Sequence, residues 1–244
     1  MFSVSAELYD AIYSFKDYAT ESSKIRQLIK REHPGAKTIL DVACGTAEHA
    51  KHLSAHFQID GIDVEPKFIE IARAKNPAGT YSVADMRSFQ LGKRYDVVQC
   101  LFSSIGYLLT PGDIIAALKC FRAHLAPNGI ILVEPWLTPS AYKLRQPHMI
   151  TVDRPDLKVC RMNVSAREGD VSIIHFHYLI GTQDGVRYEE EVHRLALIPT
   201  ETMAGHFKAA GLHCDFDPVG LFDRGLFVAR SLDDPTFHAG EKSR

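Results

Sequence analysis

Residues 39–49 read ILDVACGTAEH. An apolar, β-branched run reaches an acid, Asp41, and passes into a turn of small residues, Ala43, Cys44, Gly45 and Thr46. Small residues let a backbone come close to a ligand. A helix predicted over 47–57 would then point unpaired N–H groups at an anionic or polar partner. A glycine turn after a strand is weak evidence by itself, and an acid at a strand end is often only a helix cap. The weight of this stretch comes from what surrounds it.

Outward from it, strands alternate with helices. TILDVA (38–43), QIDGID (58–63), YSVAD (81–85), YDVVQCLF (95–102) and IILVEP (130–135) are predicted strands. Pro66 suits the first turn of the helix KFIEIARAK, and Thr110, Pro111 and Asp113 open the helix IIAALKCFRAHL. The connection between the third and fourth strands is short and loop-like. Nearly continuous apolar strands between helices imply a parallel sheet covered on both faces. Right-handed crossovers then put a ligand at the carboxyl ends of the strands.

Upstream, residues 5–32 read as helical, with Ile25, Leu28 and Ile29 on one face and Pro34-Gly35 as the stop. The rhythm changes after Trp136. Residues 148–198 carry strand-like runs, VCRMNVSAR, VSIIHFHYLI and YEEEVHRLALI, separated by Glu-Gly-Asp and Asp-Gly turns. A helix over 200–210, with Thr200 as N-cap and Gly211 as stop, precedes two last strands, LHCDFDPVG and GLFVARS. The expected fold is α/β: a doubly wound, mostly parallel seven-stranded sheet, ending in an antiparallel pair and interrupted by an antiparallel β-rich insert. The expected division is a ligand-binding core with N-terminal helices over 1–136, the insert over 137–198, a return to the core sheet over 199–232 and a tail over 233–244.

Composition narrows the function. A net charge of −2 over 244 residues lacks the basic excess of a protein held on nucleic acid by bulk electrostatics. Five cysteines, an odd number without C-x-x-C spacing, suggest reduced thiols rather than a disulfide framework or zinc knuckle. The N-terminal MFSVSAELYD lacks the pattern of a signal peptide, and no stretch of 18 uncharged apolar residues occurs. A cytoplasmic location without a membrane partner is the default expectation. His, Asp and Glu look scattered rather than set at ligand spacing, so no metal is expected.

Two further acids give the opening turn its meaning. Asp63 ends the second strand, 18 residues past Gly45, where a carboxylate can accept both hydroxyls of an adenosine ribose. Asp85 ends the third, where it or its backbone neighbour can meet an adenine amino group. A nicotinamide dinucleotide fits less well, because TAEHA after Gly45 lacks the further glycines of that fingerprint.

LDVACGTAEH, GIDVEP, VADMR and YDVVQCLFSS resemble the successive motifs of the class I S-adenosylmethionine-dependent methyltransferases. The resemblance spans residues 38–135 and the last two strands. It implies S-adenosylmethionine as cofactor, held by Asp41, Ala43, Gly45, Asp63, Val64, Asp85, Met86, Leu101 and Phe102. Tyr9 and Tyr18 would close over it from the N-terminal helices, although both also suit an amphipathic core. The family's usual glycine two positions after Gly45 is Ala47 here. FSSIGYL (102–108) has no acid and no Asn-Pro-Pro-Tyr string, which turns the reading away from nucleic-acid amines.

FKDYATE, DMRSFQLGKR, FSSIGYL, VEPW, SAREG and RGLF resemble, over nearly the whole chain, the TDP-aminosugar N,N-dimethyltransferases of antibiotic deoxysugars such as desosamine and mycaminose. The family's Gly-Pro-Ser-Gly-Arg-Gly-Leu-Phe string is GLFDRGLF here, with Phe222 and Asp223 in place of smaller residues. The resemblance implies a nucleotide-linked amino sugar as acceptor and a homodimer through the insert. It places Tyr107 in the active-site loop, Ser104, Tyr107, Glu134 and Trp136 toward the acceptor, and Arg167, Arg194 and Arg224 at the diphosphate. In-line transfer is expected to rest mainly on positioning, with no single indispensable base and with Tyr107 or Glu134 as catalytic residues able to take the amine's proton. A solvated surface charge is the plainer reading of each arginine. His124, far along the helix after the fourth strand, reads as structural. The alternatives are a class I methyltransferase of another small-molecule amine or carboxylate, and a non-catalytic protein that binds S-adenosylmethionine.

Overall fold

Alternation of side chains along single strands explains how the core divides. In β1 (Thr38–Val42), Leu40 and Val42 pack into one cluster with Phe121 and Phe207, while Ile39 packs into another with Ile25 and Ile29. A strand that must fill a core on both faces reads as a continuous apolar run. The computed structural model describes residues 5–233. Its larger sheet adds β2 (Gln58–Asp63), β3 (Tyr81–Val83), β4 (Tyr95–Cys100), β5 (Leu125–Val133), β10 (Leu212–Asp217) and β11 (Leu226–Ser231). The spatial order is β10-β11-β5-β4-β1-β2-β3. Only β11 runs antiparallel to its neighbours β5 and β10. The chain leaves β1 toward β2 and β3 on one side, then resumes at β4 and β5 on the other. That reversal opens a crevice at the carboxyl ends of β1 and β4.

Several local boundaries differ from the sequence reading. The segment 5–32 breaks into α1 (Ser5–Ile12) and α2 (Tyr18–Glu32), because Asp17 caps the second helix by accepting the Thr20 N–H at 2.9 Å. The helix expected over 47–57 is only α3 (Glu48–Leu53), entered through Ala47 at a positive φ of 59°. α4 (Pro66–Lys75) and α5 (Pro111–Ala123) start at their prolines. β3 stops at Val83, so Asp85 lies past the strand. β5 begins at Leu125 and carries Asn128 at φ 61°, with a register shift opposite Tyr95 and Val97. α6 (Thr200–Ala209) is preceded by Pro199, and Thr200 is its first residue rather than a cap. Gly211, at φ 78°, ends that helix region in the left-handed conformation.

The insert is a four-stranded antiparallel sheet of β6 (Pro147–Asp153), β7 (Lys158–Glu168), β8 (Val171–Thr182) and β9 (Gly185–Ala196), in sequence order. Its inner face sends Val152, Val159, Tyr178 and Ile180 against Leu8, Ala11 and Ile12 of α1. The insert and the first helix therefore form one wall over the crevice. Gly106, in the 3-10 turn Ser104–Tyr107, lies under that wall. A Cβ there would meet the Trp136 Cβ at 2.9 Å and Leu195 at 3.3 Å, so only glycine lets the two units approach so closely. The outer face exposes Met162, Val164, Leu179, Val186, Tyr188 and Val192. Among the described residues no helix is long and apolar enough to cross a membrane, and all five cysteines are free.

Candidate active site

The crevice opens into a cleft of about 550 Å³ between the strand ends of the large sheet, α1 and the inner face of the insert. On the sheet side, Ala43 (φ 58°) and Gly45 (φ 55°) hold the turn after β1 in the left-handed region. A Cβ on Gly45 would meet no atom within 4 Å, so this backbone faces open cleft. Asp63 anchors the turn from the next strand. Its Oδ2 accepts the Gly45 N–H at 2.9 Å and its Oδ1 the Glu65 N–H at 2.9 Å. Burial raises its carboxyl above the usual range, against the pull of those backbone donors. Tyr9 borders the same space, edge-on to Phe68 at 5.0 Å, and Phe102 borders it at φ 52°.

Other residues expected around the cofactor stand back from the cleft wall. Asp41 is buried behind the turn, and burial raises its carboxyl to about 6. Leu101 belongs to the core cluster of Ile39, Met86 packs against the other cluster, that of Leu40 and Val42, and Val64 lies 63% exposed beyond Asp63. Tyr18 opens α2 with its ring edge-on to His49 at 5.0 Å. Asp85 is displaced because β3 ends early and Arg87 claims its carboxylate, reaching also to Asp113 at 3.0 Å. That network lowers the Asp85 carboxyl from its ordinary value, with the Arg87 hydrogen bond as the main cause.

The loops after β4 and β5 and before β11 add a polar and aromatic lining. Ser104, Tyr107, Glu134, Trp136 and Arg224 all border the cleft. Trp136 is fixed by donating Nε1–H to Ser172 Oγ at 2.9 Å. The Arg224 guanidinium lies over the rings of Phe102 (5.2 Å) and Trp136 (5.5 Å) and donates to Ser103 Oγ at 3.3 Å. Glu134, 2% exposed, accepts the Phe102 N–H at 2.7 Å and has Arg224 3.9 Å from its other oxygen. Burial raises its carboxyl while Arg224 opposes the rise. Glu134 thus ties the ends of β4 and β5 together, and both its oxygens face partners within the protein.

Two expected arginines lie elsewhere. Arg167 pairs with Asp170 at 2.9 Å and Arg194 with Glu168 at 2.7 Å, both at the β7–β8 turn and outside the cleft. Arg194 falls between the inward-facing His193 and Leu195 of β9, so its side chain takes the opposite face. Arg167 has inward parity but sits past the covered part of β7. Arg161, six residues earlier on the same face and roughly 20 Å along the strand, is the arginine in the cleft. It is 7% exposed, lies over Phe176 at 4.2 Å and Tyr13 at 5.2 Å, and donates to Tyr13 Oη at 3.1 Å. Its partners are the phenols of Tyr13 and Tyr178 and the ring of Phe176, all uncharged, so a buried positive charge borders the cleft. Lys16, Tyr13, His148, Asn163 and His193 also line the cleft and were not singled out from the sequence. The signal was present: Val159, Arg161, Asn163 and Ser165 alternate on the buried face of β7, as Glu191 and His193 do on β9.

His124, as expected, is structural, bonded to Cys120 O at 2.8 Å and Leu91 N at 3.1 Å. On the exposed face of the insert, His175, His177 and Glu190 bring ligand-type atoms within 4.8 Å of one another. The pleat places His175 and His177 on one side and opposite-strand pairing adds Glu190, so these residues are less scattered than the sequence suggested.

A doubly wound sheet whose first turn is open at Gly45 and gripped by a strand-end acid, with a roofed cleft beyond, defines a class I methyltransferase. The methyltransferase-domain family model matches residues 39–129. The dTDP-3-amino-3,6-dideoxy-α-D-glucopyranose N,N-dimethyltransferase of Streptomyces fradiae is 40% identical over 227 residues, 91% of this chain and 89% of that one. The dTDP-3-amino-3,4,6-trideoxy-α-D-glucopyranose N,N-dimethyltransferase of Streptomyces venezuelae is 36% identical over 91% and 96%. Among solved structures, Streptomyces venezuelae DesVI superposes with a TM-score of 0.88 at 35% identity, covering 93% of this chain and 98% of that one. The S-adenosylmethionine-bound amino pentose methyltransferase CalS10 of Micromonospora echinaspora gives 0.83 at 32% identity, covering 91% and 95%. The chain belongs to the TDP-aminosugar N,N-dimethyltransferases, and its cofactor is S-adenosylmethionine.

Proposed function

We propose that the chain transfers methyl groups to the amine of a TDP-linked 3-amino deoxyhexose. The observation that carries this reading is one cleft lined both by a nucleoside-type grip at Gly45 and Asp63 and by the guanidinium groups of Arg161 and Arg224. The relatives at 40% and 36% identity act on 3-amino sugars, whereas one at 30%, from Saccharopolyspora spinosa, acts on a 4-amino sugar.

S-adenosylmethionine, when bound, supplies an electrophilic methyl group. Asp63, Gly45 and Ala43 would hold its nucleoside and amino-acid parts, with Tyr9 and Phe102 as apolar cover. Arg161 and Arg224 suit the acceptor's diphosphate, because guanidinium matches phosphate oxygens in a fork. Trp136 and Tyr107 would flank the sugar. The main contribution of these residues is alignment, for which intramolecular models give effective molarities of about 10⁵–10⁸ M. No single forceful base is required, because a neutral amine is already a nucleophile.

A second copy of the chain is the partner we propose for the outer face of the insert, whose exposed Met162, Val164, Leu179 and Val192 form an apolar patch; light scattering reads that state. A cytoplasmic setting fits the five free thiols. Mass spectrometry of a panel of TDP-amino sugars incubated with protein and S-adenosylmethionine tests the function. Mono- and dimethylated 3-amino sugars are the expected products. Methylation of unrelated amines or carboxylates instead would move the acceptor class, and donor binding without transfer would favour a non-catalytic role.

A further inference from the structure

Tyr107 reaches the cleft from the 3-10 turn after β4, and its hydroxyl lies 2.8 Å from His193 Nδ1 on β9. On the far side of the ring, His193 Nε2 lies 3.3 Å from Glu191 Oε2. His193 and Glu191 are two residues apart on one strand, so the pleat gives them the same inward face. Both are buried. Tyr178 steadies the carboxylate by donating to it at 3.4 Å. An ionised carboxylate only accepts, so the imidazole proton belongs on Nε2 and Nδ1 is left to accept from the phenol. The other titratable groups facing this line are Tyr9 of α1, Tyr13 just after that helix, Asp63 of β2, and Arg161 of β7 beyond Phe176.

We propose that Tyr107, His193 and Glu191 form a proton relay that takes the ammonium proton of the acceptor before each methyl transfer; this rests on the function proposed above. The acceptor's N–H⁺ bond breaks as its proton passes to the Tyr107 oxygen. The Tyr107 proton moves to His193 Nδ1. The imidazolium so formed is stabilised by the Glu191 carboxylate and later releases a proton to solvent. The amine keeps the electron pair of the broken N–H bond. The same cycle runs again on the monomethylated product, which is also an ammonium ion. Tyr107 is the catalytic member, while His193 and Glu191 are positioning residues that act through it. The chain is dispensable at alkaline pH, where the amine is already neutral, so it coexists with catalysis by alignment.

The test is the pH profile of kcat/KM for the parent, Tyr107→Phe, His193→Gln, Glu191→Gln and the Tyr107→Phe/His193→Gln double variant. General acid–base groups contribute about 10²–10⁴-fold, and because water can substitute here the expected loss near neutral pH is roughly tenfold to hundredfold. About two pH units higher the loss should shrink to within roughly threefold. The double variant should be no slower than the worse single one, because members of one relay do not add. A readout independent of turnover is the tautomer of the neutral His193 imidazole followed by nitrogen-15 NMR. The parent should hold its proton on Nε2, facing the Glu191 carboxylate, and Glu191→Gln should weaken that preference. Profiles parallel to the parent, or losses that multiply, would overturn the relay. So would an unchanged His193 tautomer in Glu191→Gln, the isosteric variant that covers the case of His193→Gln failing to fold. A parent that methylates no amino sugar would bring down the functional reading instead, and the NMR result would still stand or fall separately.

Discussion

Asp63 and Gly45, on neighbouring parallel strands, are joined by a 2.9 Å hydrogen bond from the Gly45 N–H to the Asp63 carboxylate. The acid therefore has two tasks. It fixes the turn at the edge of the cleft, and it borders the cleft itself. Asp63→Asn keeps the shape but removes the charge. Hydrogen bonds to charged groups contribute roughly 1.5–3 kcal/mol, so S-adenosylmethionine affinity should fall about tenfold to hundredfold in calorimetry. Unchanged affinity would place the nucleoside elsewhere.

Gly45→Ala tests the open side of the same turn. The new methyl would enter cleft space rather than protein, since no atom lies within 4 Å of it. The positive φ of 55° adds a backbone penalty of about 1–2 kcal/mol. Melting should drop by a few degrees, while cofactor affinity falls at least about tenfold. Loss of stability with full affinity would show that the turn serves folding alone.

Asp41 makes a pH prediction. Its folded carboxyl sits at about 6 against an ordinary 3.8, chiefly through burial, with His49 and Gln99 pulling the other way. The fold thus favours the neutral acid. Its stabilising contribution is complete below the ordinary range and is lost as pH rises through about 6. The shift corresponds to roughly 3 kcal/mol at most. Asp41→Asn should melt several degrees above the parent in slightly alkaline buffer, with the gap closing toward pH 4. A gap that is constant with pH would contradict an ionising Asp41.

The arginines separate by position. Arg161→Gln should raise KM for the nucleotide sugar roughly tenfold to hundredfold and leave the S-adenosylmethionine dissociation constant unchanged. Arg167→Gln and Arg194→Gln, whose partners are exposed acids at a turn, should behave as the parent. Equal effects from all three would point to a diffuse charge effect instead of a built site.

How much of this was legible in the chain follows from which forces are local. The apolar runs of β1, β4 and β5 announced a sheet buried on both faces, and the acid and small-residue turn at Asp63 and Gly45 announced its ligand end. What stayed hidden depends on distances set elsewhere. Asp85 looked equivalent to Asp63 until Arg87, two residues on, took its carboxylate. Arg167 was expected in the site and Arg161 was not singled out, because a strand pattern gives parity but not how far the covering elements reach. Tyr107 and His193 are 86 residues apart, and only the docking of β9 onto the 3-10 turn, allowed by Gly106, brings them into contact. The break between α1 and α2 was readable in principle, since Asp17 with Thr20 makes a cap.

A crystal structure of the protein with S-adenosylhomocysteine and a TDP-3-amino deoxyhexose tests the account most directly. It should show the ribose hydroxyls on the Asp63 carboxylate, the diphosphate between Arg161 and Arg224, and the sugar amine between Tyr107 and the sulfur. A nucleoside bound away from Gly45, or an Asp63 turned from the ribose, would contradict it.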